Sequence, residues 1–271
     1  MKKFIGLDAG SVSVKIAVLD AKGNVLETNY VRHKGKLLTT AFELLRNLDH
    51  SASLSITGSG GKIIARAFGI EPVNEVIAQS YSTKRFYPEI RTIIEMGGED
   101  SKLIILEDGK VKEFAMNSVC AAGTGSFLDQ QAERLRLSIE EFSESALKSK
   151  NPPRVAGRCS VFAKSDMIHL QQIATPVYDI VAGLCFAVAR NFKGSIAKNM
   201  VLPLPVSFQG GVAANKGVVR AFKEIFQFES LLIPEHFALM PAIGAALKNI
   251  EEGVESHYDV EKLKDFISSQ R

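Results

Sequence analysis

Tryptophan is absent from the 271 residues, cysteine occurs three times, and the charges nearly cancel, with 33 Lys and Arg against 30 Asp and Glu. A net charge of +3 leaves no basic footprint of the kind that nucleic acid or an anionic membrane surface requires. Long apolar runs are missing too. The longest uncharged one, Ile180 to Ala189, has ten residues, about half of the roughly twenty a spanning helix needs. Asp8 arrives too early for the apolar segment of a secretion signal. Cysteines at 120, 159 and 185, an odd number, make no disulfide framework. The expectation is a protein of the reducing cytoplasm whose partners are neither nucleic acid nor membrane. What is present is a 46% apolar chain, enough for one large or two medium packed domains.

The pattern along the chain repeats. Phe4 to Gly10 reads as a buried strand entering a Gly-rich turn, Val14 to Val18 as a second strand, Lys22-Gly23-Asn24 as a tight turn, and Val25 to Val31 as a third strand. The series returns as Thr92 to Gly98, Leu103 to Leu106, the hairpin turn Asp108-Gly109, and Val111 to Phe114. A third strand with a diglycine runs from Pro205 to Ala213. Helical patterns fall at Leu37–Leu48, Phe127–Leu137, Val161–Gln172, Tyr178–Phe192 and, entered through Pro241, Ala242–Ile250.

A diglycine after a buried strand lets backbone approach a ligand and aim N–H groups at phosphate oxygens. Three glycine turns after strands in one chain, two of them diglycines and two with an acid two residues ahead (Asp8 before Gly10, Glu95 before Gly97), point to a nucleotide phosphate chain. The two carboxylates would suit Mg²⁺, a hard cation that bridges phosphates. The P-loop is excluded, because Ile56 and Ile63 stand where it needs Gly and Ser or Thr, and Gly58-Ser-Gly60 does not continue as a dinucleotide fingerprint.

Cys120 precedes Gly123-Thr124-Gly125 at a helix start, and Cys159 precedes another helix. Helix N-termini stabilise thiolate, so both are candidate metal ligands, whereas Cys185 lies on an apolar helix and reads as core. Two thiolates cannot complete a [4Fe–4S] cluster, but a twofold dimer supplies four. From spacing alone, free thiols at two helix starts are the somewhat stronger reading.

The paired strand–loop–strand units resemble the actin, Hsp70 and sugar-kinase superfamily. The resemblance implies an α/β fold of two duplicated, ribonuclease H-like domains closing around ATP. Residues 1–88, completed by a C-terminal helix at about 244–271, would form the first, and residues 89–243 the second, carrying the cluster cysteines. Gly10 and Ser11 would form one phosphate loop and Gly97 and Gly98 the other. Gly123, Thr124 and Gly125 would touch phosphate, and Gly210, Gly211, Val212 and Asn215 would lie on the adenosine side.

Val119-Cys120-Ala-Ala-Gly-Thr-Gly-Ser-Phe-Leu-Asp129, Cys159-Ser-Val-Phe-Ala-Lys-Ser165 and Met96-Gly-Gly-Glu-Asp-Ser-Lys102 together resemble the activators of 2-hydroxyacyl-CoA dehydratases, the BadF/BadG/BcrA/BcrD ATPase family. That resemblance implies a homodimer, one bridging [4Fe–4S] cluster held by Cys120 and Cys159, and one ATP with Mg²⁺ per chain. It implies a ferredoxin or flavodoxin as electron donor. The acceptor would be an iron–sulfur dehydratase, a benzoyl-CoA-type reductase or a double-cubane protein. The chain departs from the pattern at Glu95 and Glu99, where the activators have Asp and Gln, and at Val12 in place of Thr. Glu99 and Asp8 are the expected catalytic residues, Glu99 by orienting or deprotonating the attacking water. Two other classes stay open: a small-molecule kinase using Asp129 or Asp166 as base, and a non-catalytic actin-like scaffold.

Overall fold

The computed structural model describes residues 2–117, 123–157 and 159–270. In chain order its elements are β1 (Lys3–Ala9), β2 (Ser13–Asp20), β3 (Val25–Arg32), α1 (Leu37–Leu45), β4 (Ser53–Thr57), α2 (Gly61–Phe68), α3 (Glu75–Phe86), β5 (Thr92–Met96), β6 (Ser101–Glu107) and β7 (Lys110–Asn117). Then follow α4 (Gly125–Arg134), α5 (Ile139–Ala146), α6 (Ser160–Gln172), α7 (Val177–Ser195), β8 (Val206–Gln209), α8 (Lys216–Phe226), α9 (Met240–Glu252) and α10 (Val260–Ser269).

The chain divides into two compact units: Met1–Glu89 with Glu107–Val111 and Leu239–Arg271, and Ile90–Leu106 with Lys112–Ala238. Each holds a four-stranded sheet, ordered β3-β2-β1-β4 in the first and β7-β6-β5-β8 in the second. The orders correspond strand for strand. In both, the first strand pairs antiparallel with the next and parallel with the last. This is the duplicated α/β architecture that the repeated strand–turn–strand pattern calls for.

Burial follows position. β1, β4, β5 and β8, inside their sheets or against helices, are almost wholly buried, while the outer strands β3 and β7 keep most residues in water. In the first unit α9 lies against both β1 and α3, so closely that a Cβ on Gly6 would sit 1.8 Å from the Ala242 carbonyl oxygen. A Cβ on Gly244 would sit 1.6 Å from that of Ala78. In the second unit α7, buried along Ile180–Ala189, packs on α5 and α8 and carries the core with Phe192, Phe208 and Phe222. No described helix is long and apolar enough to cross a membrane.

Candidate functional site

In the first unit the loop after β1 closes on itself, the Gly10 N–H donating to the Ser13 carbonyl at 3.0 Å. Register places Lys15 of β2 opposite Asp8, and its Nζ lies 2.7 Å from Asp8 Oδ2. Asp8 is 1% exposed, and its other oxygen, Oδ1, has no hydrogen-bond partner. A buried carboxylate oxygen without a donor is costly unless a ligand completes it. Behind it runs the Gly58–Gly61 turn. Gly58 has φ +95°, and a Cβ there would lie 2.4 Å from Asp8 Oδ1 and 2.5 Å from the Ala9 carbonyl oxygen, so this position requires glycine. The Gly60 N–H donates to that same carbonyl at 2.8 Å. The turn that failed as a P-loop is thus the wall that fixes Asp8. His33 supports the loop from the other flank. Its Nδ1 accepts from the Gly35 N–H at 3.1 Å, leaving Nε2 as donor to the Gly10 carbonyl at 3.2 Å.

The second unit repeats the plan. The Gly97 N–H donates to the Asp100 carbonyl at 2.9 Å, and Lys102 stands opposite Glu95 in register. Lys102, 1% exposed, lies 3.0 Å from Glu95 Oε2 and 2.8 Å from Asp100 Oδ2. Glu99 is exposed. The backbone of α4 is tied to this loop: the Gly125 N–H donates to the Gly97 carbonyl at 2.9 Å and the Ser126 N–H to that of Gly98 at 2.8 Å. Ser101 Oγ donates to the Gly123 carbonyl at 2.6 Å. Gly210, at φ +85°, packs so near the Met96 carbonyl that a Cβ would lie 2.3 Å from its oxygen. A Cβ on Gly125 would stand 3.1 Å from Val212. Gly97, Gly98, Gly125, Gly210 and Val212 therefore form one cluster, with buried Thr124 at the N-cap of α4. Asn215 caps α8, its Oδ1 accepting from the Val218 N–H at 3.1 Å while its buried Nδ2 lacks a partner.

Of the cysteines, Cys120 lies outside the described residues. Cys159 is the half-buried N-cap residue of α6. Cys185 is fully buried, and burial pushes its thiol up to about 12, which leaves it an inert core residue. Asn191 of α7 touches both flanking segments. Its Nδ2 donates to the Gly157 carbonyl, and its Oδ1 would stand 2.6 Å from a Cβ on Gly123. Among the described residues no three His, Cys, Asp or Glu side chains converge on a metal position. The donors present still suit the expected ions: Asp8 Oδ1 is a hard oxygen fit for Mg²⁺, and the Cys159 thiol is a sulfur fit for iron. Glu95 is the poorer magnesium donor, since one oxygen is held by Lys102 and, unlike Asp8, it shows no buried oxygen lacking a partner.

Residues 5–248 match the BadF/BadG/BcrA/BcrD ATPase family. The chain belongs to that family. It is 32% identical over 269 residues to the 2-hydroxyisocaproyl-CoA dehydratase activator of Clostridioides difficile, covering 96% of this chain and 99% of that one. The solved activator of the 2-hydroxyisocaproyl-CoA dehydratase from Clostridium difficile, with bound ADPNP, superposes with TM-score 0.81 at 28% identity, over 92% of this chain and 95% of that one. Component A of the (R)-2-hydroxyglutaryl-CoA dehydratase of Acidaminococcus fermentans gives TM-score 0.84 at 27% identity, over 93% and 99%. Lys15, Lys102, Gly58 and His33 were not among the expected site residues. For the lysines a signal existed, since each follows its acid by seven positions.

Proposed function

We propose that this chain is an ATP-dependent activator of an iron–sulfur partner, a 2-hydroxyacyl-CoA dehydratase, a benzoyl-CoA-type reductase or a double-cubane protein. It works as a homodimer whose copies share one [4Fe–4S] cluster through Cys120 and Cys159. Relatives named as dehydratase activators support the partner class, and the ADPNP of one solved neighbour supports the nucleotide. Val161 and Phe162, 65% and 66% exposed two and three residues after Cys159, support a second molecule seated there. When bound, a [4Fe–4S] cluster supplies one-electron transfer at a potential set by hydrogen bonding and solvent exposure. ATP and water become ADP and phosphate, while one electron leaves a ferredoxin- or flavodoxin-type donor and ends on the acceptor.

The chain's own residues divide the work. Asp8 offers Oδ1 to Mg²⁺ while Lys15 balances its charge. Gly10, Gly97, Gly125 and Gly210 spend their N–H groups on loop closure, so phosphate contact is assigned to their neighbours Ser11, Gly98 and Gly211. Glu99, exposed in the loop after β5, is assigned the role of orienting the attacking water.

The observation that carries the reading is the pair of hydrogen bonds from Gly125 and Ser126 to the Gly97 and Gly98 carbonyls. A change in the phosphate loop is thereby passed to α4, whose first residue follows Cys120 by five positions, with no distant relay. Cys120→Ala or Cys159→Ala is expected to abolish bound iron and acid-labile sulfide while ADPNP binding persists. Normal iron content in either variant would overturn the cluster assignment, and ATP-dependent sugar phosphorylation by iron-free protein would establish the kinase class instead.

A further inference from the structure

The second unit contains a cavity of about 1000 Å³ that none of the phosphate-loop glycines lines. Its walls come from the end of β7, from the segment before α6, from α6 itself, and from the C-terminal end of α7 with the turn beyond it. Arg154, Arg190 and Lys198 face it, and Asp166 is the one carboxylate among its described lining residues. That carboxylate is already engaged, its Oδ2 accepting from the Ala156 N–H at 2.7 Å. Arg190 gives one N–H to the Val155 carbonyl at 2.9 Å, and neither Arg154 nor Lys198 has an ion pair or hydrogen bond among the described residues. The side chains of Asn191 and Ser195 add further polar groups.

Two guanidinium groups close enough to repel each other leave an uncompensated electrostatic cost within the fold. Its sign is visible at Arg190, whose pKa is lowered first by burial and then by the charge of Arg154. A bound anion would relieve both. Three cations against one carboxylate leave two positive charges, the complement of a phosphate monoester, which carries about −1.5 to −2 near neutrality. The planar donor fork of arginine matches phosphate oxygens two at a time. The volume suits a small organic molecule and exceeds what a bare ion needs.

We propose that this cavity is a second anion site, separate from the ATP phosphate loops, that takes a small molecule bearing a phosphate monoester through Arg154, Arg190 and Lys198. Because its wall includes Gly157, two residues before Cys159, an occupant would bear on the segment holding that thiol. The assignment stands on charge and shape within one unit and is independent of the activator reading.

The test is calorimetric titration with phenyl phosphate at about pH 8, where the monoester is dianionic, on full-length protein already saturated with ADPNP and Mg²⁺ so that the phosphate loops are filled. Saturable binding of one phenyl phosphate per chain is expected. Arg154→Ala and Lys198→Ala, both at exposed positions that should not disturb folding, should each weaken it about tenfold or more. ADPNP affinity should not change in either variant. Phenyl sulfate, a monoanion of the same shape, should bind more weakly than phenyl phosphate. Absence of saturable binding, unchanged affinity in both variants, or equal binding of the sulfate overturns the proposal.

Discussion

The loop after β1 and the loop after β5 share register, closing hydrogen bond and an acid–lysine pair seven residues apart, yet they use the lysine differently. Lys15 engages one oxygen of Asp8 and leaves the other without a partner. Lys102 is drawn between two carboxylates, Glu95 and Asp100, and is itself 1% exposed. Duplication therefore preserved the scaffold and let the chemistry diverge: the first loop keeps an oxygen available to a cation, and the second is braced by a buried charge network. The second loop is also the one joined by hydrogen bonds to α4. A packed, charge-paired element shifts as a unit, which suits the coupling proposed above.

The largest expected effect that would break this contrast is on stability. Lys102→Met leaves two carboxylates without their shared ammonium and should cost about 3 kcal/mol. Lys15→Met should cost less, since a single carboxylate loses its partner and the lysine is itself 15% exposed. Urea unfolding of the two variants measures the difference directly, and equal losses would erase the distinction. Next comes activity. Asp8→Asn should lower magnesium-dependent ATP turnover roughly 10- to 100-fold, whereas Glu95→Gln should change the magnesium requirement less and the unfolding midpoint more. Magnesium titration of the ATPase rate separates the two. Gly58→Ala sharpens the same point from behind the loop. Its methyl would press on Asp8 and Ala9, so it should destabilise by about 1–3 kcal/mol and weaken ADPNP binding. Gly35→Ala, with nothing within 4 Å of the added carbon, should cost its backbone strain of about 1 kcal/mol and leave binding unchanged.

The smallest effect concerns the turns that close the two hairpins. Asp20 accepts from the Asn24 side chain and from backbone N–H groups of Asn24 and Lys22, the first being the largest reason its carboxyl lies below the ordinary 3.8. A lowered carboxylate contributes stability above its unfolded value and loses it as pH falls through the folded one. Thermal melts should therefore show Asp20→Asn less stable than the parent at neutral pH, with the gap closing on acidification below about 3.8. A gap that widens in acid would contradict this.

Much of the architecture was legible because half-buried strands and positive-φ turns leave local marks. Asp108-Gly109 reads as a hairpin and adopts φ of 51° and 71°. Elements whose partners are distant in sequence were missed. β4 reads Ser-Leu-Ser-Ile-Thr and is wholly buried, its Ser53 hydroxyl accepting from the Ser256 N–H. Nothing within five residues reveals that pairing. α3 buries Ala78, Gln79, Ser82 and Thr83, small or polar groups admitted because Gly244 brings α9 close. Its buried face thus carries no apolar period. The site was legible at its glycines and opaque at its lysines, since each acid–lysine pair forms across a strand and becomes visible when the two repeats are laid side by side. Asn191, which joins the flanks of both cysteine segments from the middle of α7, gave no local signal.

The most direct test of the central claim is iron and acid-labile sulfide quantified against protein, on anaerobically purified material whose mass in solution is measured in the same preparation. One [4Fe–4S] cluster per two chains, lost with its dimer on Cys159→Ala, is the result expected. A monomer without iron that still couples ATP hydrolysis to reduction of its partner, or one complete cluster per single chain, would contradict it.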